Sequence, residues 1–494
     1  MGVPRVVVAA PQGRTGKTTV CTGLCAALAK RGLAIQPFKK GPDYIDPSWL
    51  TAATGRPCRN LDLFMMTPDA LLSSFCRSSA DSDIAVIEGA MGLYDGLDLV
   101  GSGSTAQLAR VLKAPVILVV NATRMTRSVA ALVRGYQDFE ADVNIAGIIL
   151  NNVASGRHES MLVHAVRQYC GIPVLGCMPK DGRLTIPERH LGLVPQGETA
   201  TLAEKVEQAR DLVESCVDLD GVVEVAQSAA SLGAPMAVPT PSRGERVRIG
   251  VIRDRAFSFY YPENLEALEE AGADLVYINA LETSHLPAVS ALYVGGGFPE
   301  IFAKALEANT QLRREIAVAI EEGLPVYAEC AGLLYLARRL WWDDRAADMV
   351  GALPIDVKFS TRPQGLGYVA AEIVAGNPFF EKGKQLKGHE FHYAKVEDVG
   401  DLMLSYRLER GRGVDRNRDG IVHKNVLAGF THLHAVGVPE WARALVSRAR
   451  WAQAGPRGLP DGGLPDKGLP DGGLPDCELS QEGGLQSASV SYLT

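Results

Sequence analysis

No apolar run in this 494-residue sequence reaches the roughly 18 residues that a membrane-spanning helix requires. A membrane protein is therefore not expected. The chain also lacks a charged-then-apolar leader. It goes straight into a strand-like segment, so no signal peptide is expected. Positive charge is in deficit: 50 Lys and Arg against 57 Asp and Glu leave a formal net charge of −7. That argues against nucleic acid or an anionic membrane as the partner, local basic patches aside. The nine cysteines fall without paired metal-type spacing. They read as reduced thiols of a cytoplasmic protein.

The chain is long enough for two or three domains, and 47% hydrophobic residues allow each a core. Near its start, Val6-Val7-Val8-Ala9-Ala10 leads into Pro11-Gln12-Gly13-Arg14-Thr15-Gly16-Lys17-Thr18-Thr19. A β-branched run, a loop with two glycines, Lys-Thr and an apolar-periodic segment are the parts of a phosphate-binding loop. Loop N–H groups and the helix start would face the anion. Gly13, Gly16, Lys17, Thr18 and Thr19 are the nucleotide-binding candidates, with Lys17 on the outer phosphates and the Thr18 hydroxyl on Mg2+. One position departs from the strict pattern, which has glycine where this chain has Pro11. A plain strand-to-helix turn with an exposed lysine is the bland alternative.

Strand-like runs at 5–10, 34–38, 84–88, 116–120 and 145–150 alternate with helical stretches. That is the rhythm of a parallel, doubly wound sheet, whose ligands sit at the carboxyl ends of the strands. Three such ends are polar. Lys39-Lys40-Gly41-Pro42-Asp43-Tyr44-Ile45-Asp46-Pro47 follows the second run. Glu88 opens Gly89-Ala90-Met91-Gly92-Leu93-Tyr94-Asp95-Gly96, and a carboxylate there is a natural magnesium partner. Asn151-Asn152 has amides suited to a purine edge.

A helix at 202–217 and an Ala/Ser/Pro-rich stretch with Pro235, Pro239 and Pro241 read as a helix and linker over 201–245. A second alternating pattern fills 246–450, after a first domain at 1–200. From 451 the sequence turns low in complexity, and Gly-Leu-Pro-Asp copies from Gly458 predict a disordered tail.

In the second pattern Cys330 stands between an apolar strand and an apolar helical run. This is a turn of the nucleophile-elbow kind, and the helix start would lower the thiol pKa. Gly295-Gly296-Gly297 is a candidate oxyanion-hole turn, and Thr431-His432-Leu433-His434 a candidate base. A Cys and a His at strand ends suit acyl transfer. His389 and His392 offer a weaker metal-pair reading.

These residues resemble the family of glutamine-dependent cobyrinic acid a,c-diamide synthases. The resemblance spans about 3–445 and rests on the runs beginning at Phe38, Thr51 and Glu88, on Ala328-Glu329-Cys330, on Gly388-His389-Glu390-Phe391-His392-Tyr393 and on Thr431-His432-Leu433-His434. It implies two doubly wound, mostly parallel α/β domains: a P-loop NTPase-like, dethiobiotin-synthetase-like ATP domain, then a flavodoxin-like class I glutamine amidotransferase. By that carry-over Cys330 is the nucleophile and His432 its base, with N–H groups of Gly297 and Ala331 on the oxyanion. Lys17, Thr18, Asp46 and Glu88 serve ATP and Mg2+. Asp43 and Asp46 lie near the reacting carboxylate, and Asn152 meets the adenine.

The implied reaction is ATP-dependent amidation of the a and c acetates of cobyrinic acid, glutamine or ammonia giving the nitrogen, in cobalamin biosynthesis. Ni-sirohydrochlorin and hydrogenobyrinic acid are alternative acceptors. A partitioning-type switch ATPase is a remoter alternative, disfavoured by Gln12 where such proteins carry lysine. The class often places Glu two residues after its histidine, where this chain has His434, so a Cys-His dyad is the expectation. A homodimer is left open.

Overall fold

Apolar runs rich in Val and Ile make the central strands of the first sheet, as strands covered on both faces require. Its members are β1 (Arg5–Ala9), β2 (Ile35–Lys40), β3 (Arg59–Leu61), β4 (Ile84–Glu88), β5 (Val116–Asn121), β6 (Ile145–Val153) and β7 (Val174–Pro179). They lie in the order β3-β2-β4-β1-β5-β6-β7, and every pairing is parallel. Side chains alternate between faces along each strand. Val7 and Ala9 of β1 therefore join one core with Leu71, Phe75, Val133 and Leu162 of the covering helices. Val6 and Val8 join another with Val20, Leu24 and Leu28.

The computed structural model describes residues 2–180, 199–233 and 245–454. The part of the linker holding Pro235, Pro239 and Pro241, and the Gly-Leu-Pro-Asp tail, lie outside the described residues. Among the described residues no helix is long and apolar enough to cross a membrane.

The back half carries β8 (Val247–Ile252), β9 (Ala273–Ile278), β10 (Ala291–Val294), β11 (Val326–Glu329), β12 (Arg339–Trp342), β13 (Arg345–Asp348) and β14 (Asp356–Phe359). It continues with β15 (Gly365–Ile373), β16 (Gln385–His392), β17 (Ala394–Val396), β18 (Met403–Arg410), β19 (Arg418–His423), β20 (Val426–Gly429) and β21 (His432–Leu433). Ten of these form one sheet, β21-β16-β15-β18-β19-β20-β11-β10-β8-β9. From β9 to β20 it is parallel, as expected. From β20 to β21 it continues antiparallel, an extension that periodicity did not announce. A small sheet, β13-β12-β14-β17, lies apart.

The halves meet at defined points within one compact unit, 1–455. Arg59 grips Glu266 with two hydrogen bonds, 2.8 and 2.6 Å. Arg77 pairs with Glu270 at 2.7 Å. Gly437 lies so close to the Met65 carbonyl that a Cβ there would collide with it.

Candidate active site

The loop after β1 turns through two left-handed residues, Arg14 (φ 58°) and Gly16 (φ 85°), before the helix Lys17–Lys30. Gly16 is required twice over: its φ favours glycine, and a Cβ would run into the Asn151 amide. Asn151 donates to the Thr15 carbonyl at 2.8 Å. That places β6 under the loop, a tie the sequence reading did not assign. A Cβ on Gly13 would meet nothing, so that glycine faces open space. Thr19 is half-buried in the first helical turn. Asn152, at φ 60°, bonds Asn121 of β5 at 3.2 Å.

Lys17 is buried, and its pKa is pushed down by burial and then by Lys39. Thr18 donates to Glu88 at 2.7 Å. Lys39, from the end of β2, enters the same cluster: its Nζ contacts Asp46, lies 3.0 Å from Glu88 and 3.8 Å from Asp43. Burial alone would discharge Lys39, but the three carboxylates outweigh it and hold its pKa well above the usual range. Burial, then Asp46, pushes the Asp43 carboxyl up to about 7. Burial pushes the Asp46 pKa up, but the Lys39 charge, its hydrogen bond and the Lys17 charge together outweigh burial and hold the pKa low.

Among the described residues no three His, Cys, Asp or Glu side chains are arranged to hold a metal by themselves. The donor set nevertheless fits Mg2+, which takes one or two carboxylates and completes its shell with water and phosphate. Glu88 offers a buried Oε2 with no hydrogen-bond partner, beside the Thr18 hydroxyl.

Cys330 ends β11 at φ 50°, ψ −101°, then the helix Ala331–Leu336 begins. This is the strained strand-to-helix turn that the sequence pattern indicated. One pocket, about 420 Å³ of open space, is lined by Cys330, Ala331, Gly297, Glu300, His392 and Ile45 among others. A Cβ on Gly297 would strike the Ala256 carbonyl, so the turn admits only glycine. The expected fall in the thiol pKa is not what the structure gives. Burial raises it far above the ordinary value, and the negative charge of Glu300 adds to that; the Ala331 N–H opposes both and loses. The helix has only six residues, too short for its dipole to win. The thiol Sγ contacts the Phe391 carbonyl at 3.8 Å and bonds no imidazole among the described residues.

His432 reaches the neighbourhood through register. Glu329 stands opposite Gly429, the Cys330 N–H donates to the Gly429 carbonyl at 2.7 Å, and the chain runs on through Phe430 and Thr431. Buried Asp419 pins that turn by accepting from Phe430 N at 3.0 Å and Thr431 N at 2.8 Å. Glu329 Oε2 lies 3.3 Å from His432 Nδ1, and Glu329 Oε1 accepts from Leu433 N at 3.0 Å. So a carboxylate does orient His432, and it comes from the residue before the cysteine. His434 points elsewhere, with its Nε2 3.6 Å from Glu263. The metal-pair reading of His389 and His392 has no support. Three residues apart on a strand, they face opposite ways. His389 stacks on His432 at 4.9 Å, and His392 stacks on Phe430 at 3.6 Å.

The loop of Asp43 and Asp46 touches both sites. Between the aspartates, the Tyr44 ring packs 5.4 Å from His432, 5.6 Å from His389 and 4.6 Å from Tyr261. Ile45 lines the Cys330 pocket.

Comparison with known proteins agrees with this layout. Residues 6–194 match the model of the CobQ/CobB/MinD/ParA nucleotide binding domain. Residues 248–438 match that of the CobB/CobQ-like glutamine amidotransferase domain. A relative from Magnetococcus marinus named cobyrinate a,c-diamide synthase is 45% identical, covering 89% of this chain and 96% of its own. One of that name from Archaeoglobus fulgidus is 42% identical over 91% and 98%, and one from Methanosarcina acetivorans 40% over 90% and 95%. With two domains in this order and relatives matched along nearly their whole length, the chain belongs to the cobyrinate a,c-diamide synthase family.

Proposed function

We propose that this chain amidates the a and c acetate carboxylates of cobyrinic acid, with ATP as the activating substrate and glutamine as the nitrogen donor. The observation that carries the reading is the 41–46 loop, which sets Asp43 and Asp46 beside Lys39 and Glu88 while Tyr44 and Ile45 abut the cysteine site. The labour divides along the chain, 1–200 activating the acid and 246–450 releasing the nitrogen.

A carboxylate is a poor acyl donor because oxide would have to leave. Its oxygen attacks the γ-phosphorus of ATP, ADP departs and an acyl phosphate forms. Lys17 and Lys39 offset the developing negative charge. Thr18, Asp46 and Glu88 would hold Mg2+, which supplies further charge neutralisation at the phosphates. Asn152, beside Asn121, meets the adenine edge. In the back half the Cys330 sulfur attacks the glutamine amide. His432, held by Glu329, takes the thiol proton and gives it to the departing ammonia. N–H groups of Gly297 and Ala331 steady the oxyanion. Ammonia then displaces phosphate from the acyl carbon, and water releases glutamate from the thioester.

Mass spectrometry of products from a panel of tetrapyrrole acids tests the reading. Cobyrinic acid should gain two amides in the presence of ATP and glutamine. Two amides only on Ni-sirohydrochlorin or hydrogenobyrinic acid would move the assignment to that acceptor, and none on any would refute it. Cys330→Ser should lose the glutamine-dependent reaction and keep the one driven by ammonia.

A further inference from the structure

In β15, Val369, Ala371 and Ile373 enter the core of the back half. Leu366, Tyr368 and Ala370 therefore take the other face. There Tyr368 packs on Phe64 of the front half, with ring centroids 4.5 Å apart. Lys387 of β16 and Arg410 of β18 both stand in register with Ala370, one from each side. Both reach the rings. Lys387 Nζ lies 5.2 Å from the Phe64 centroid, and the Arg410 guanidinium 5.8 Å from Phe64 and 6.0 Å from Tyr368.

Both cations are exposed, and neither has a carboxylate partner among the described residues. The basic residues three positions before each are different: Lys384 pairs with Glu440 and Arg407 with Glu372. Two like charges flanking one residue of a sheet repel each other, and an exposed cation–π contact returns little against that. Fold stability alone gives no reason for this pairing. Leu366, 68% exposed, adds an apolar surface beside it.

The cluster is joined to the acceptor loop. The Tyr368 hydroxyl donates to Asp62, whose other oxygen accepts from Phe64 N at 2.8 Å and Met65 N at 2.9 Å. Asn60, two residues earlier, donates to the carbonyls of Gly41 and Asp43 at 2.8 and 2.7 Å. An acceptor with one carboxylate at Asp43 and Asp46 would extend its remaining body over this neighbourhood.

We propose that Phe64, Tyr368, Leu366, Lys387 and Arg410 form the seat for a macrocyclic polycarboxylic acid. Its apolar body lies against Leu366 and the two rings, and its peripheral carboxylates meet Lys387 and Arg410. The seat fixes which acetate reaches the phosphate site. This rests on the acceptor assigned above.

Equilibrium dialysis of cobyrinic acid against the full chain tests it, comparing wild type, Lys387→Gln/Arg410→Gln and, as control, Arg407→Gln. All three positions are solvent-facing, and matching thermal midpoints will show that the fold is kept. The double variant should bind about tenfold or more weakly, the effect of losing charge-assisted contacts. Its affinity should also fall less steeply with added salt, and Arg407→Gln should bind as wild type does. Equal binding by wild type and the double variant overturns the seat and leaves the acceptor assignment standing. Equal weakening by Arg407→Gln overturns it as well, because general surface charge would then be responsible. Failure of wild type to bind or amidate cobyrinic acid overturns both.

Discussion

Burial and function pull against each other at Cys330. The thiol sits 8% exposed at a strained turn, and burial above all, with the Glu329 charge adding to it, keeps it protonated. On the proposed mechanism a resting thiol means that proton removal must accompany attack, so His432 and its orientation would carry more of the rate than in a site with a ready-made thiolate. Glu329→Gln should therefore lower glutamine hydrolysis about 10²- to 10⁴-fold, as loss of the orienting acid does in hydrolytic triads. Steady-state glutaminase assays will read it. Ammonia-driven amidation should persist.

Glu300 makes a second prediction. Burial raises its pKa to about 8, from an ordinary 4.5. Below about pH 4.5 it is neutral in both the folded and the unfolded chain. Between the two values the unfolded chain ionises and the folded one does not, so rising pH costs stability, up to about 5 kcal/mol in total. Glu300→Gln removes that cost. Its thermal midpoint should match wild type near pH 4.5 and exceed it increasingly up to pH 8. A constant difference across that range would contradict the burial argument.

Cys330 and His432 stand out in the sequence as candidates because each ends an apolar run. Glu329 was not legible as the orienting acid, since the pairing of β11 with β20, rather than spacing along the chain, brings it to His432.

At the scale of elements, the parallel strands β3, only three residues long, and β7, half-buried, were not readable, whereas β1, β4, β5 and β6 were, because strands buried on both faces are unbroken apolar runs. The antiparallel strands β15, β16, β18 and β19 escaped for the opposite reason. Partly buried, with residues such as Lys387, Arg407 and Arg410 on the solvent side, they show no continuous apolar signal. Lys39 was visible in the polar run that closes β2. Its position among three carboxylates depends on the parallel pairing of β2 with β4, which sets Lys39 opposite Glu88.

On the proposed division of labour, coupling would depend on the 41–46 loop. Tyr44→Ala removes the ring that abuts His432 and His389 and opens the junction to water. Glutamine consumed per amide formed should rise from near one to several. Parallel measurement of glutamate and product will show it, and an unchanged ratio would remove Tyr44 from the coupling. Asp46→Asn should differ, stopping amide formation with either nitrogen donor.

At the scale of the whole molecule, the two sites work together only if the halves stay in register. Arg59 with Glu266, Arg77 with Glu270 and the close approach of Gly437 to Met65 hold that register. Gly437→Ala forces a Cβ against the Met65 carbonyl, and small-to-large changes at tight contacts cost about 1–3 kcal/mol. The variant should lower the thermal midpoint and raise the glutamine-to-amide ratio together. None of this interface was readable from sequence, because each half satisfies its own periodicity without the other.

The most direct test follows the nitrogen itself. Cobyrinic acid and ATP are supplied with glutamine labelled with ¹⁵N in its amide, in buffer holding a large excess of unlabelled ammonium, and the product is weighed by mass spectrometry. If ammonia passes from the Cys330 pocket to the acyl phosphate across the Tyr44 junction, both new amides carry ¹⁵N. Amides diluted to the isotopic composition of the buffer would mean that the two sites merely share a chain.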